Sequence, residues 1–256
     1  MCIKQLFRVL ALTTLSFLSA CSSTAEKTDP YVGKPAAYIY AVGHQALQKG
    51  HWNLALEAYQ SLDSQYPFNS YTQKGDLESI YANYKNENPA IALTEADRYI
   101  KIYPADTRGI AYAYYMMGVI DFENGRGFLQ RYLPYDMAAH NAQNYRTAFQ
   151  NFKIVVTSYP DSPYSTDARR RMVYLNNTLG AFNMEVAEIY YKKGAYVAAA
   201  NRAINVILHY PNTPSTEQAL EMLTQCYGKL GLPELQTSAE TVLKFNLSKQ
   251  QTTKIR

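Results

Sequence analysis

The feature that most restricts this chain is a Tyr-Pro pair that recurs four times, at Tyr66-Pro67, Tyr103-Pro104, Tyr159-Pro160 and Tyr210-Pro211. Each pair closes a run whose apolar residues fall at helical spacing. Proline cannot continue a helix, and it pushes the residue before it out of the helical region. No period-two alternation of any length competes, so the chain after residue 35 reads as all-α, a row of helices cut at regular stops.

A proline at the end of a second helix is where a tetratricopeptide (TPR) unit of about 34 residues stops. Counting back from Pro67 puts Gly43 in a first helix, Gly50 at the turn, Ala55 and Tyr59 in the second helix and Leu62 before the stop. This is the small, small, small, aromatic, apolar order of the repeat, in which helices A and B approach closely only where side chains are small. Counting back from Pro211 gives Ala187, Tyr190, Gly194, Tyr196, Ala199 and Val206 in the same roles. The unit ending at Pro104 keeps Ala92 and Ala96 but has no turn glycine. The third fits only with an insertion from Glu123 to Ala139 between Tyr114, Met117 and Gly118 on its first helix and Ala148, Phe152 and Val155 on its second. A weaker fifth unit carries Leu220, Leu223, Tyr227 and Gly231. Helix starts near Pro89, Pro163 and Pro214 are preceded by possible capping side chains at Asn88, Ser162 and Thr213. The expected fold is a superhelix of about five such units: 1 and 2 over 35–107, 3 over 108–163 with its insertion 123–139, and 4 and 5 over 164–247. A single long or kinked helix is expected from Tyr164 to Lys193, and a flexible tail over 248–256.

The first twenty residues read as a secretory signal, with Lys4 and Arg8 flanking a short apolar run too short to span a bilayer. The run ends Leu18-Ser19-Ala20-Cys21, which resembles the bacterial lipobox, in which Cys21 becomes the lipidated, palmitate-bearing N-terminus. Leu18, where ordinary signal cleavage prefers a small residue, favours the lipoprotein peptidase. Ser22 follows in place of the aspartate that retains enteric lipoproteins at the inner membrane, so an outer-membrane location is expected, on the periplasmic face. Residues 21–34 then form a polar tether that spans about 45 Å when extended. Of the three cysteines, Cys2 leaves with the signal and Cys21 carries lipid, so Cys226 is left alone as a buried small side chain.

Removal of the signal leaves 23 basic against 21 acidic residues, which gives no clustered footprint for nucleic acid. Nucleophile elbows, phosphate-cradling glycine loops, His-Glu-x-x-His and Cys-x-x-Cys are all missing from the sequence. His44 and His51 have no third ligand type beside them, so neither is read as a metal ligand. The chain reads as a scaffold and not an enzyme, with no metal and no cofactor besides the covalent lipid on Cys21.

Tyrosine, at 24 residues against nine phenylalanines, carries the positive signal. Positions 2, 5, 9 and 12 of each helix A face the concavity of such an array. In units 1–3 they hold Tyr40, His44, Leu47, Leu77, Tyr81, Tyr84, Tyr112, Tyr115 and Phe122, an aromatic lining suited to gripping a peptide. In units 4 and 5 they hold Met184, Glu188, Tyr191, Glu221 and Gln225, so the two halves are expected to bind different things.

Several stretches are more specific than generic repeats: Tyr66-Pro67-Phe68 with Tyr71, the run from Ile80 to Asn86, Asp167-Ala168-Arg169-Arg170, and Val186-Ala187-Glu188-Ile189-Tyr190-Tyr191 with Gly194-Ala195-Tyr196-Val197 and Asn201-Arg202. Through these the chain resembles the BamD family of lipoproteins of the outer-membrane β-barrel assembly machine. The resemblance implies docking on the barrel-forming BamA through the C-terminal repeats, with Arg202, Glu188 and Tyr191 as partner-binding residues. It further implies contact with the lipoprotein BamC through the N-terminal repeats, and capture of the C-terminal signal of unfolded barrel proteins by Tyr40, His44, Tyr81, Tyr84, Tyr112 and Tyr115. The competing expectation is another outer-membrane TPR lipoprotein, such as a secretion or pilus assembly pilotin.

Overall fold

The computed structural model describes residues 29–124 and 137–254, so the signal, Cys21 and most of the insertion lie outside the described residues. Ten helices and no strand occur within them: α1 Ala36–Gln48, α2 Trp52–Gln65, α3 Ser70–Lys85, α4 Pro89–Ile102, α5 Thr107–Asn124, α6 Met137–Ser158, α7 Ser165–Lys192, α8 Tyr196–His209, α9 Ser215–Leu230 and α10 Pro233–Lys254. Both ends of the insertion are helical, since α5 runs to Asn124 and α6 opens at Met137. The long segment before the fourth turn is a single helix of 28 residues, α7. α10 continues through Lys254, past the Ser248 boundary read from sequence polarity.

The Tyr-Pro pairs act as stops. α2, α4 and α8 end with Tyr66, Tyr103 and Tyr210 as C-caps at ψ 55°, 56° and 47°, outside the helical region, as a following proline demands. Each tyrosine amide still donates to the carbonyl four residues back, as does Tyr159 to Val155 at the end of α6.

The turns from helix A to helix B are equally regular. Gly50, Glu87, Gly194 and Gly231 all have positive φ, between 60° and 76°. The residue after each donates its N–H to the carbonyl five residues back, His51 to Ala46, Asn88 to Asn83, Ala195 to Tyr190 and Leu232 to Tyr227. This closure satisfies helix-end carbonyls and requires a left-handed residue, normally glycine. In unit 2 Glu87 supplies it instead.

The side-chain caps expected at Asn88, Ser162 and Thr213 are not formed as helix caps. Asn88 is the N-cap of α4, with Pro89 at the first helical position, but its side chain makes no capping bond. α7 begins at Ser165 and α9 at Ser215, later than the sequence suggested. Ser162 and Thr213 therefore serve the preceding turns, accepting from the Tyr164 amide and donating to the Tyr210 carbonyl respectively.

Consecutive helices pack in antiparallel pairs, and α1 also meets α3, α3 meets α5, and α7 meets α9. The A helices thus touch one another along one side of the array. The interior is a string of separate clusters along the array, two of them within unit 1, and Ala55, Ala92, Ala96, Ala148, Ala187 and Ala199 are wholly buried. Small residues allow the approach: a methyl group added at Gly43 would lie 2.5 Å from the Tyr59 ring, and one at Gly118 would lie 2.6 Å from Phe152. Cys226 is buried, with its thiol pushed up from its ordinary pKa by that burial.

Candidate polypeptide-binding surface

All six residues expected to line the N-terminal groove, Tyr40, His44, Tyr81, Tyr84, Tyr112 and Tyr115, are half-buried. Tyr81 meets Trp52 edge-on at 5.9 Å and Tyr84 at 6.3 Å. Further along, Tyr112 and Tyr115 both pack against Tyr164, at 5.3 Å and 5.0 Å, the second pair stacked. Tyr81, Tyr84, Tyr112 and Tyr115 all rest on one buried cluster that contains Ile80, Tyr99 and Met116. Phe122, read as part of the lining, is instead 8% exposed and belongs to the core with Tyr145 and Phe152. It lies where α6 returns after the insertion, and that helix covers it.

The tips of these rings are held by carboxylates. Tyr40 Oη donates to Glu78 at 2.8 Å, His44 Nδ1 lies 2.9 Å from the same carboxylate, and Tyr59 Oη donates to its other oxygen. The hub joins α1, α2 and α3, so Tyr40 and His44 are fixed in place before any ligand arrives. Tyr115 donates to Asp167 at 2.8 Å, and Arg171 donates to the same carboxylate at 2.6 Å. Burial, followed by the hydrogen bond to Glu78, pushes the hydroxyls of Tyr40 and Tyr59 well above their ordinary range, and burial followed by Glu123 does so for Tyr84. These phenols are neutral donors at any physiological pH. Glu78 was not singled out in the sequence, although a carboxylate one turn before Tyr81 on a groove-facing helix was a usable signal.

A cavity beside this surface, about 910 Å³, opens between the start of α5 and the turn from Tyr159 to Tyr164. Tyr112, Leu77, Tyr159 and Tyr164 give it apolar walls, with exposed Arg108 and Asp161 among its lining. Of these only Leu77 and Tyr112 occupy groove positions by sequence count, because the Tyr159-Pro160 pair signals a helix stop and not a surface.

The C-terminal half differs in chemistry. Met184, Glu188, Glu221 and Gln225 do converge, on a cavity of about 420 Å³ between α7 and α9 that also takes in Met222. Glu188 is paired with Lys192 at 2.7 Å across one turn of an exposed helix face. Tyr191 packs edge-on to Tyr196 at 5.3 Å, at the mouth of the turn at Gly194. Arg202, on α8, is half-buried and donates to Asn183 Oδ1 at 3.4 Å, while Asn183 is 1% exposed and donates to the Leu179 carbonyl. Among the described residues no group of three His, Cys, Asp or Glu could hold a metal, and no helix is long and apolar enough to cross a membrane. Cys21 lies outside the described residues.

Fold and surface together define a TPR-type scaffold, an all-helical superhelix with rings and carboxylates along its A helices. Residues 33–243 match the family described as YfiO, outer membrane lipoprotein. The outer membrane protein assembly factor BamD of Pasteurella multocida is 32% identical over 240 residues, covering 94% of this chain and 90% of the relative. Its counterpart in Neisseria meningitidis serogroup B is 35% identical over 211 residues, covering 82% and 79%. The chain belongs to this family of outer membrane lipoproteins, whose curated members are named as assembly factors and not as enzymes. Among solved structures, MamA is similar over 84% of this chain and 92% of its own at 16% identity, with a TM-score of 0.37.

Proposed function

We propose that the protein is the lipoprotein scaffold of the β-barrel assembly machine, lipid-anchored at Cys21 to the periplasmic face of the outer membrane. There it binds BamA and unfolded barrel proteins, with BamC and other lipoproteins of the machine as further partners. The observation that carries this reading is family membership over nearly the whole mature chain, combined with a half-buried aromatic surface on units 1–3. Rigid tyrosines bury much area at low entropic cost, and with hydroxyls fixed by Glu78 and Asp167 the surface is preorganised, which limits the cost of binding. The aromatic cavity with Arg108 beside it suits an extended segment that ends in an aromatic side chain and a carboxylate. The C-terminal half, with Arg202, Glu188 and Tyr191, is the surface for BamA. No cofactor enters beyond the covalent lipid, and nucleic acid is not a partner.

Affinity purification of the tagged protein from detergent-solubilised membranes tests the assignment. BamA and companion lipoproteins should come down with it. Recovery of a secretin or a pilus assembly protein in their place would establish the pilotin reading.

A further inference from the structure

Because successive helices run in opposite directions, the start of α1 and the α2–α3, α4–α5, α6–α7 and α8–α9 turns all lie along one edge of the superhelix, the edge marked by the Tyr-Pro pairs. The chain enters at the first corner of that edge, and it is fastened there before α1 begins. Asp29 accepts from Ser61 at 2.7 Å and from the Tyr31 amide at 2.9 Å. Tyr31 is buried, the Gly33 amide donates to Gln65, and Tyr66 Oη donates to the Lys34 carbonyl. The partners from α2, Ser61, Gln65 and Tyr66, sit near its end or just beyond it, beside the turn that carries Phe68.

This corner is apolar on its outside. Phe68 is fully exposed at 102%, Val32 at 67% and Tyr38 at 52%, and the Lys34 ammonium lies 5.9 Å above the Tyr38 ring. Phe68 stands out from a tight turn between Pro67 and Asn69, and no contact among the described residues accounts for it.

The length of chain before the corner limits what can cover it. Seven residues lie between Cys21 and Asp29, so the eight residue steps reach at most about 29 Å. A lipid-bearing Cys21 therefore keeps the corner next to the leaflet in which its acyl chains are buried. Exposed aromatic and aliphatic side chains with a flanking lysine are the composition of a membrane interface, where rings lie at headgroup depth and ammonium groups reach phosphates. We propose that Phe68, Val32 and Tyr38 rest in the headgroup region of the phospholipid leaflet that holds the anchor. The lipid chains and this corner would then fix the tilt of the superhelix as well as its location. The inference rests on lipidation of Cys21 as proposed above.

The test uses the full lipidated chain in phosphatidylethanolamine/phosphatidylglycerol vesicles with brominated acyl chains. Phe68→Trp and Val32→Trp are each compared with the parent, whose one tryptophan, Trp52, opens α2 at the opposite edge. Flotation with vesicles reports the anchor, bromine quenching reports contact, and circular dichroism confirms that the variants fold. The expected result is co-flotation, with blue-shifted and quenched emission from both introduced tryptophans and unquenched emission from Trp52. Co-flotation without quenching at either position would overturn the membrane contact and leave the anchor standing. Failure to float would overturn both together. Introduced tryptophans that are unquenched by lipid, and become shielded from aqueous iodide only when BamA is added, would assign the corner to a polypeptide and overturn the lipid assignment.

Discussion

Gly43 lies flat against the ring of Tyr59, so close that a methyl group at Gly43 would sit 2.5 Å from Cε1 and 2.9 Å from Cδ1 of that ring. Tyr59 has little freedom to retreat, because it is 4% exposed and its hydroxyl is held by Glu78. Gly43→Ala should therefore destabilise unit 1 by about 1 to 3 kcal/mol through overpacking, despite the better helix propensity of alanine. Urea unfolding monitored by circular dichroism measures this, and an unchanged midpoint would mean that the ring yields freely.

Glu87 carries a φ of 60° at the turn where units 1, 4 and 5 use glycine. A left-handed backbone costs a side-chain-bearing residue about 1 to 2 kcal/mol that glycine avoids, offset in part by glycine's greater freedom when unfolded. Glu87→Gly should raise the unfolding midpoint by the equivalent of about 1 kcal/mol, and a lower midpoint would contradict the assignment of strain.

Asp121 on α5 is held by a 3.0 Å hydrogen bond from Asn151, yet burial dominates and lifts its carboxyl to about 6. The folded state therefore holds a proton that the unfolded state has released between about pH 4 and 6. Stability contributed at this site falls as pH rises through that window, and the cost persists above it. Asp121→Asn should stabilise the protein at pH 7 by about 1 kcal/mol, allowing for solvent screening at a half-buried site, and by little near pH 3.5. Chemical denaturation at the two pH values checks the sign.

Arg202 makes one long hydrogen bond within the chain, to Asn183 at 3.4 Å. Loss of a bond that long costs about 1 kcal/mol or less, whereas removal of an arginine from a buried interfacial charge pair costs about 2 to 5 kcal/mol. Arg202→Ala should leave thermal unfolding nearly unchanged while strongly reducing retention of BamA. Full retention by a folded variant would return Arg202 to a purely intrachain role.

The parts of this architecture that were legible in the sequence depend on backbone geometry. Tyr-Pro stops, the turn glycines at 50, 194 and 231 and the Gly43–Tyr59 approach each follow from what proline, glycine or a small side chain alone permits. What was missed depends on side chains distant in sequence. Glu78 collects Tyr40, His44 and Tyr59 from 38, 34 and 19 residues away, and no local spacing announces that convergence. Phe122 occupies a groove position by count, but the helix that returns after the insertion covers it. The expected caps at Ser162 and Thr213 failed for a local reason: the chain spends two more residues on the turn after Ser162, Pro163 and Tyr164, and one after Thr213, Pro214, before the helix begins.

In the proposed function, the aromatic surface of units 1–3 receives the C-terminal segment of an unfolded barrel protein. Tyr81 and Tyr84 bear most directly on it, since they touch each other at 6.3 Å, rest on the buried cluster at Ile80 and are only half-buried. Aromatic pairs contribute about 0.5 to 1.5 kcal/mol each beyond area, and about 1.4 kcal/mol is tenfold in affinity. The decisive measurement is fluorescence-anisotropy titration of a labelled barrel-protein peptide ending in phenylalanine, with the parent and with Tyr81→Ala/Tyr84→Ala, each checked for helicity. The expected result is affinity lowered roughly tenfold or more in a folded double variant that still retains BamA; equal affinity in a folded double variant would show that the peptide is received elsewhere.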